Sequence, residues 1–233
     1  MVLAILQARM SSTRLPGKVL RPILGRPMIA LQVERLRRSK RLGRIVVATS
    51  TGPEDDPLAD YAQSLGLTVF RGDLADVLDR FHGALAAHGD GEHLVRLTAD
   101  CPLADPEVID AVIARHLETC ADYTANTEGR TFPKGLDVEV CRVSALEAAW
   151  REARDPYERE HVTPFLYRHP ERFKQAAVTR DPPQRYRWTV DTPEDLAFVE
   201  AVYAGLYPTN PAFTSADVLA WQERNPERIL VSD

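Results

Sequence analysis

The feature that most constrains this chain is the alternation, over its first 120 residues, of short apolar runs with stretches of helical spacing. Val2–Leu6 is an unbroken apolar run of the kind that makes a strand buried on both faces. Arg44–Thr49 (RIVVAT) repeats it, Thr68–Phe70 is a shorter version, and His93–Thr98 is a fourth. Amphipathic stretches lie between them. Met28–Leu36 follows Pro27, a residue suited to a first helical turn, and Leu58–Leu65 is closed by Gly66. Leu74–His88 is spaced through Val77, Leu78, Phe81 and Leu85, and Pro106–Leu117 sets Ile109, Val112, Ile113 and Leu117 on one face. Four strand–helix units in succession point to an α/β fold with three layers, α/β/α, around a mostly parallel sheet.

After residue 120 the rhythm changes. Strands are expected at Tyr123–Asn126, Leu136–Cys141, Lys174–Thr179 and Arg187–Val190, and helices at Ser144–Glu152, Glu158–Tyr167, Glu194–Ala204 and Ala216–Arg224. No repeat or long linker divides the chain, so 1–233 reads as one domain, with 127–175 as a possible small inserted subdomain. A chain of 233 residues that is 44% hydrophobic can bury a core without staples. Cys101, Cys120 and Cys141 form no CxxC pair, and an odd number is a poor disulfide framework, so a reducing, cytoplasmic setting is expected. No run approaches the 18 or so apolar residues of a membrane span, and Arg9 interrupts the apolar opening too early for a secretory signal.

Charge is informative through its distribution. The net charge of −5 counts against a nucleic-acid partner. Residues 1–33 hold no Asp or Glu but carry Arg9, Arg14, Lys18, Arg21 and Arg26, so this segment is +5 and the rest of the chain −10. Such segregation fits a small anionic ligand near the N-terminus, and a solvated basic patch is the plainer alternative.

In an open parallel sheet, ligands sit at the carboxyl ends of the strands. After the first strand comes QARMSSTRLPGK (7–18), with three cations, three hydroxyls and a glycine, a mixture suited to phosphate oxygens. It is neither a Walker loop nor a dinucleotide fingerprint. After the fourth strand comes TADCPL (98–103), where Asp100 could serve a hard cation such as Mg²⁺ or simply cap a turn. WTVDTPEDL (188–196) offers a second strand-end acid, Asp191, although Asp191 or Thr192 could equally be a helix N-cap ahead of Pro193.

Taken together, these segments resemble the sugar-acid cytidylyltransferases, which make CMP-activated 3-deoxy-octulosonate and acylneuraminates. QARMSSTRLPGKVL with the following PILGRPMI is similar to their signature loop, TADCPLADP to their metal-binding segment and VDTPEDL to their second acidic motif. RGDLADVLDRF (71–81), FPKGLDVEV (132–140) and EREHVTPFLY (158–167) resemble the spore coat polysaccharide biosynthesis protein F branch. Ala99 stands where many relatives have Gly, and Cys101 where octulosonate enzymes have Glu, which favours that branch.

The resemblance implies a nucleotide-diphospho-sugar transferase fold. It implies transfer of CMP from CTP to a sugar or sugar acid, with release of pyrophosphate, for surface polysaccharide synthesis. By position, Ala8, Arg9, Arg14 and Lys18 would hold the triphosphate. Asp100 and Asp191 would hold Mg²⁺, and Arg71 and Asp76 would lie near base or ribose. Asp137 and Glu139, together with Glu160 and His161, would line the sugar side. Arg9, Arg14, Lys18 and Asp100 would carry the catalysis. The segment 127–175 would supply the sugar-side wall and much of a homodimer contact, as in relatives that dimerise through such a segment. The rival functions are a glycosyltransferase of related fold using a ready-made nucleotide sugar, and a non-catalytic nucleotide-binding protein. The basic loop weighs against the first, and Lys18 and Asp100 against the second.

Overall fold

The computed structural model describes residues 2–231, so the first residue and last two of the expected domain lie outside the described residues. The first half runs β1 (Val2–Gln7), β2 (Pro22–Ile23), β3 (Arg26–Pro27), α1 (Met28–Leu36), β4 (Leu42–Ser50), α2 (Asp56–Ser64), β5 (Thr68–Gly72), α3 (Val77–His88), β6 (His93–Thr98) and α4 (Pro106–Thr119). The second half adds β7 (Tyr123–Ala125), β8 (Glu139–Arg142), α5 (Val143–Glu152), α6 (Pro156–His161), α7 (Pro164–Tyr167), β9 (Gln175–Ala177), α8 (Pro193–Leu206) and α9 (Ser215–Arg224).

Among the described residues, seven strands form one sheet in the order β5-β4-β1-β6-β8-β7-β9. β5, β4, β1 and β6 are parallel, and β7 pairs in parallel with β9. Only β8 runs antiparallel to its neighbours. The mostly parallel α/β/α architecture expected from the sequence is therefore the one observed. β2 and β3 form a separate small hairpin, turned at Leu24 and Gly25, which both have positive φ.

The pleat of β1 divides the two cores. Val2, Ala4 and Leu6 pack with residues of α1, α4, α8 and α9, while Leu3 and Ile5 join α3, α5 and α7 on the other face. Strand order fixes where a ligand can enter. From β1 the chain moves to β4 on one side and later returns to β6 on the other, which opens a crevice beyond the carboxyl ends of β1 and β6.

Three expectations change. The helix predicted from Leu74 begins at Val77, because the Asp76 carboxylate accepts from the Asp79 N–H at 2.9 Å and caps it. Glu158–Tyr167 is two short helices rather than one, broken at Val162 (φ 73°). Arg187–Val190 is not a sheet strand. It lies against residues 134–136 through one bridge, Lys134 to Arg187, and the Trp188 N–H donates to Lys134 O at 2.7 Å. Gly135 makes this approach possible. Its φ is +112°, and a Cβ there would lie 2.7 Å from the Trp188 carbonyl carbon and 2.8 Å from Thr189 N.

Candidate active site

The loop after β1 folds back on itself before α1. The N–H groups of Ser12 and Gly17 both donate to Met10 O, and Gly17 takes a left-handed φ of 68°. The loop is tied to β4 through the buried Asp55, which accepts from Met10 N–H at 2.6 Å, Thr49 Oγ1 at 2.9 Å and Ser50 N–H at 3.0 Å. Burial alone would raise the Asp55 pKa, but these hydrogen bonds outweigh it and hold the group ionised. The loop therefore stands over the crevice as a braced arm.

Beneath it lies a pocket of about 220 Å³ whose lining includes Ala8, Arg9, Arg14, Lys18, Asp100 and Asp191. The three motifs set apart in the sequence thus meet in one place. Lys18 is the hinge of the arrangement: its Nζ donates to Val190 O at 2.7 Å, Asp191 Oδ1 at 2.9 Å and Asp100 Oδ2 at 3.3 Å. Arg14, mostly exposed, reaches Asp191 Oδ1 at 3.2 Å. Thr98 Oγ1 donates to Asp100 Oδ1 at 2.6 Å and orients that carboxylate. Burial pushes the Asp100 pKa up, but Lys18 and the Thr98 hydroxyl more than offset it and the net direction is down.

Asp191 reaches the site by an unexpected route. The Val190 N–H donates to Asp100 O at 2.8 Å, so a backbone bond outside the sheet sets the two acids side by side. The helix cap is Thr192, whose side chain accepts from Asp195 N–H while Asp195 accepts from Thr192 N–H. The Asp191 carboxylate is consequently not the cap and faces the pocket. Among the described residues no group of three His, Cys, Asp or Glu could hold a metal ion. Two adjacent carboxylates beside an anion-binding loop nevertheless suit Mg²⁺, which takes one or two carboxylates and completes its shell with substrate phosphates and water.

A larger cavity of about 450 Å³ opens on the β8 side of the sheet. Of the expected sugar-side residues, Asp137, Glu139 and His161 line it. Glu160 does not: it is exposed on the last turn of α6, and its placement removes it from that wall. Glu139 anchors a buried network. It pairs with Arg96, and accepts from Tyr123 Oη at 2.6 Å and Thr163 Oγ1 at 2.5 Å. Burial opposes ionisation of Glu139, yet Arg96 first and the hydroxyls next hold its pKa below the usual value. Asp137 differs: burial raises its pKa, and the Arg130 guanidinium at 3.2 Å only partly compensates.

Arg71 and Asp76 line neither cavity. Arg71 donates to Ser50 O and Gly52 O, both at 2.8 Å, and pairs with Asp56 at 2.6 Å. Asp76 caps α3 and pairs with Arg159 of α6. Both side chains are engaged by partners within the chain, and their expected place near base or ribose stays a proposal. Sequence reasoning missed Arg96, Tyr123, Arg130 and Thr163, as well as Thr98. Arg96 carried a signal: a lone cation inside the apolar strand HLVRLT, two positions from Thr98 and so on the same face. Arg80 was also missed. It is fully buried at the start of α3, donates to Asp73 O at 2.6 Å, and leaves Nε and Nη2 without partners.

Comparison with known proteins agrees with this geometry. The spore coat polysaccharide biosynthesis protein SpsF of Bacillus subtilis is 37% identical over 243 aligned positions, covering 97% of this chain and 95% of the relative. The 3-deoxy-manno-octulosonate cytidylyltransferase of Mesorhizobium japonicum is 38% identical over 185, covering 71% and 74%. The solved structure of a cytidylyltransferase from Leptospira borgpetersenii superposes with a TM-score of 0.93 at 32% identity, covering all of this chain and 98% of the other. The cytidylyltransferase family model matches residues 3–209, a stretch that holds the basic loop, both acids and every residue of the second cavity named above, and the chain belongs to that family.

Proposed function

We propose that this protein transfers CMP from CTP to a sugar or sugar acid and releases pyrophosphate, in the synthesis of a surface polysaccharide. The observation that carries this reading is the meeting of the basic loop with Asp100 and Asp191 in one pocket beside a separate polar cavity. Such a layout suits a polyanionic donor on one side and a polyhydroxylated acceptor on the other. The named functions of the relatives from Bacillus subtilis and Mesorhizobium japonicum support it.

In this reading an acceptor hydroxyl oxygen attacks the α-phosphorus of CTP. The bond from that phosphorus to the bridging oxygen breaks, pyrophosphate leaves with the electron pair, and the hydroxyl proton passes to solvent. Catalysis of this kind rests on alignment and on neutralising charge as it develops. Arg9, Arg14 and Lys18 hold the phosphate chain and offset charge on the leaving group, with Ala8 at the floor of the pocket. Asp100 and Asp191 would hold Mg²⁺, which when bound supplies charge neutralisation between the phosphates and the attacking oxygen. Asp137, Glu139 and His161 face the acceptor, and residues 127–175 form its wall and a homodimer contact. The working partners are thus CTP, the acceptor and a second copy of the chain, in the cytoplasm. No helix among the described residues is long and apolar enough to cross a membrane.

Pyrophosphate release measured over the four nucleoside triphosphates with a panel of acidic sugars tests this directly. Release with CTP and at least one sugar acid is expected. Turnover of a preformed nucleotide sugar, with no pyrophosphate from any triphosphate, would replace the reading with a glycosyltransferase. Calorimetry with Lys18→Ala and Arg14→Ala should show weakened CTP binding.

A further inference from the structure

Lys18 cannot do two things at once. An ammonium has three protons. In this structure all three have partners, in Val190 O, Asp191 Oδ1 and Asp100 Oδ2, at 2.7, 2.9 and 3.3 Å. None is left for a phosphate oxygen, although a cation on this loop is what a triphosphate requires. The side chain is only 12% exposed, so water does not compete freely for it. It occupies one oxygen of each carboxylate, between which a divalent cation held by both acids would sit, and Thr98 Oγ1 takes the other oxygen of Asp100. A lysine ammonium and such a cation cannot share the space between them, since like charges at that separation repel strongly where screening by water is weak.

We propose that Lys18 is the resident counter-ion of the Asp100–Asp191 pair and keeps divalent cations out until nucleotide arrives. The inference rests on the reading of these acids as the metal site. A triphosphate entering beneath the basic loop offers Lys18 a more highly charged partner and draws Nζ out of the carboxylate pair. The vacated oxygens are then free for the cation that accompanies the phosphates. Metal and nucleotide are thereby made to bind together, and the empty enzyme has no preformed metal site. The supporting geometry is local and rigid. Thr98 Oγ1 fixes Asp100, the backbone bond from Val190 to Asp100 fixes Asp191, and Gly17 turns the loop at the residue before Lys18. Arg14 reaches only one of the two acids and is mostly exposed, so it cannot replace Lys18 between them.

The test uses Mn²⁺ as a paramagnetic probe of the full-length protein, with no nucleotide present, so it reads the site without any turnover. Bound Mn²⁺ is counted by electron paramagnetic resonance. Lys18→Met and Lys18→Gln should each bind one Mn²⁺ at least tenfold more tightly than the parent protein. Adding Asp191→Asn to either variant should abolish the gain. Equal Mn²⁺ affinity in the parent and both lysine variants would overturn the proposal, as would a gain that survives Asp191→Asn. Circular dichroism of each variant confirms that the folded protein is being titrated. Failure of CTP to bind in the calorimetry above would count against the nucleotidyl-transfer reading and would leave this result standing on its own.

Discussion

The two pockets are built in opposite ways. The smaller one is made of backbone turns at the carboxyl ends of neighbouring strands, with cations from one continuous loop facing two acids. The larger one is made of single side chains from many elements, and both of its arginines are already paired, Arg96 with Glu139 and Arg130 with Asp137. The contrast teaches how each is set up to work. Excess positive charge on the loop calls for an anion from outside. A wall whose cations are each held by a carboxylate instead suits selection by shape and by hydrogen bonds, as for a ligand rich in hydroxyls. In the proposed function the first site carries the reaction and the second selects what takes part.

The sharpest way to break this division is Asp100→Asn. Loss of one preorganised charge should slow pyrophosphate release by roughly 10³-fold, with little change in melting temperature. A mild kinetic effect would move the reaction centre away from the smaller pocket. Glu139→Gln should do the reverse. Leaving Arg96 buried without its counter-charge should cost about 3 kcal/mol of stability in urea titration, with CTP affinity unchanged.

Mild acid should also separate the two halves. On α4, against β7, His116 is buried, with Nε2 3.0 Å from His93 Nδ1 and Nδ1 3.0 Å from Thr124 Oγ1. Burial lowers its pKa from 6.5 to about 4. The unfolded chain takes up this proton below pH 6.5 while the folded one does not, so stability is full above that value. It should fall by about 3 kcal/mol as the pH drops to about 4. Asp55 and Asp100, whose pKa values are lowered, stay ionised through this window. Urea midpoints at several pH values should show the slope, and His116→Gln should flatten it. The smallest effect is expected at the cap: Thr192→Ala should cost about 1 kcal/mol and spare turnover, whereas Asp191→Asn should spare stability and lose turnover.

The smaller pocket was legible in the sequence because its parts are contiguous. A loop with three cations in ten residues announces itself, as does an acid that ends an apolar strand. Asp191 was found for a partly wrong reason, since the segment before it joins no sheet and is placed by a hydrogen bond to Asp100 O. The larger cavity was legible only in part. Tyr123 and Thr163 reach Glu139 across 16 and 24 positions of sequence, and nothing local to either residue reports the carboxylate they will meet. The side chains of Arg71 and Asp76 are taken up by intramolecular partners that the sequence does not reveal.

The direction of β8 has a further consequence. Because it alone runs against its neighbours, Glu139 stands at its beginning, and the chain arrives there through residues 126–138 on the same edge where β1 and β6 depart. The segment that carries Asp137 is therefore a connection, whereas Glu139 belongs to the sheet's framework. Connections tolerate insertion and substitution far better than frameworks do. In the proposed function, this layout would leave the Asp137 part of the acceptor wall open to rewriting while the strand ends beneath the basic loop stay as they are.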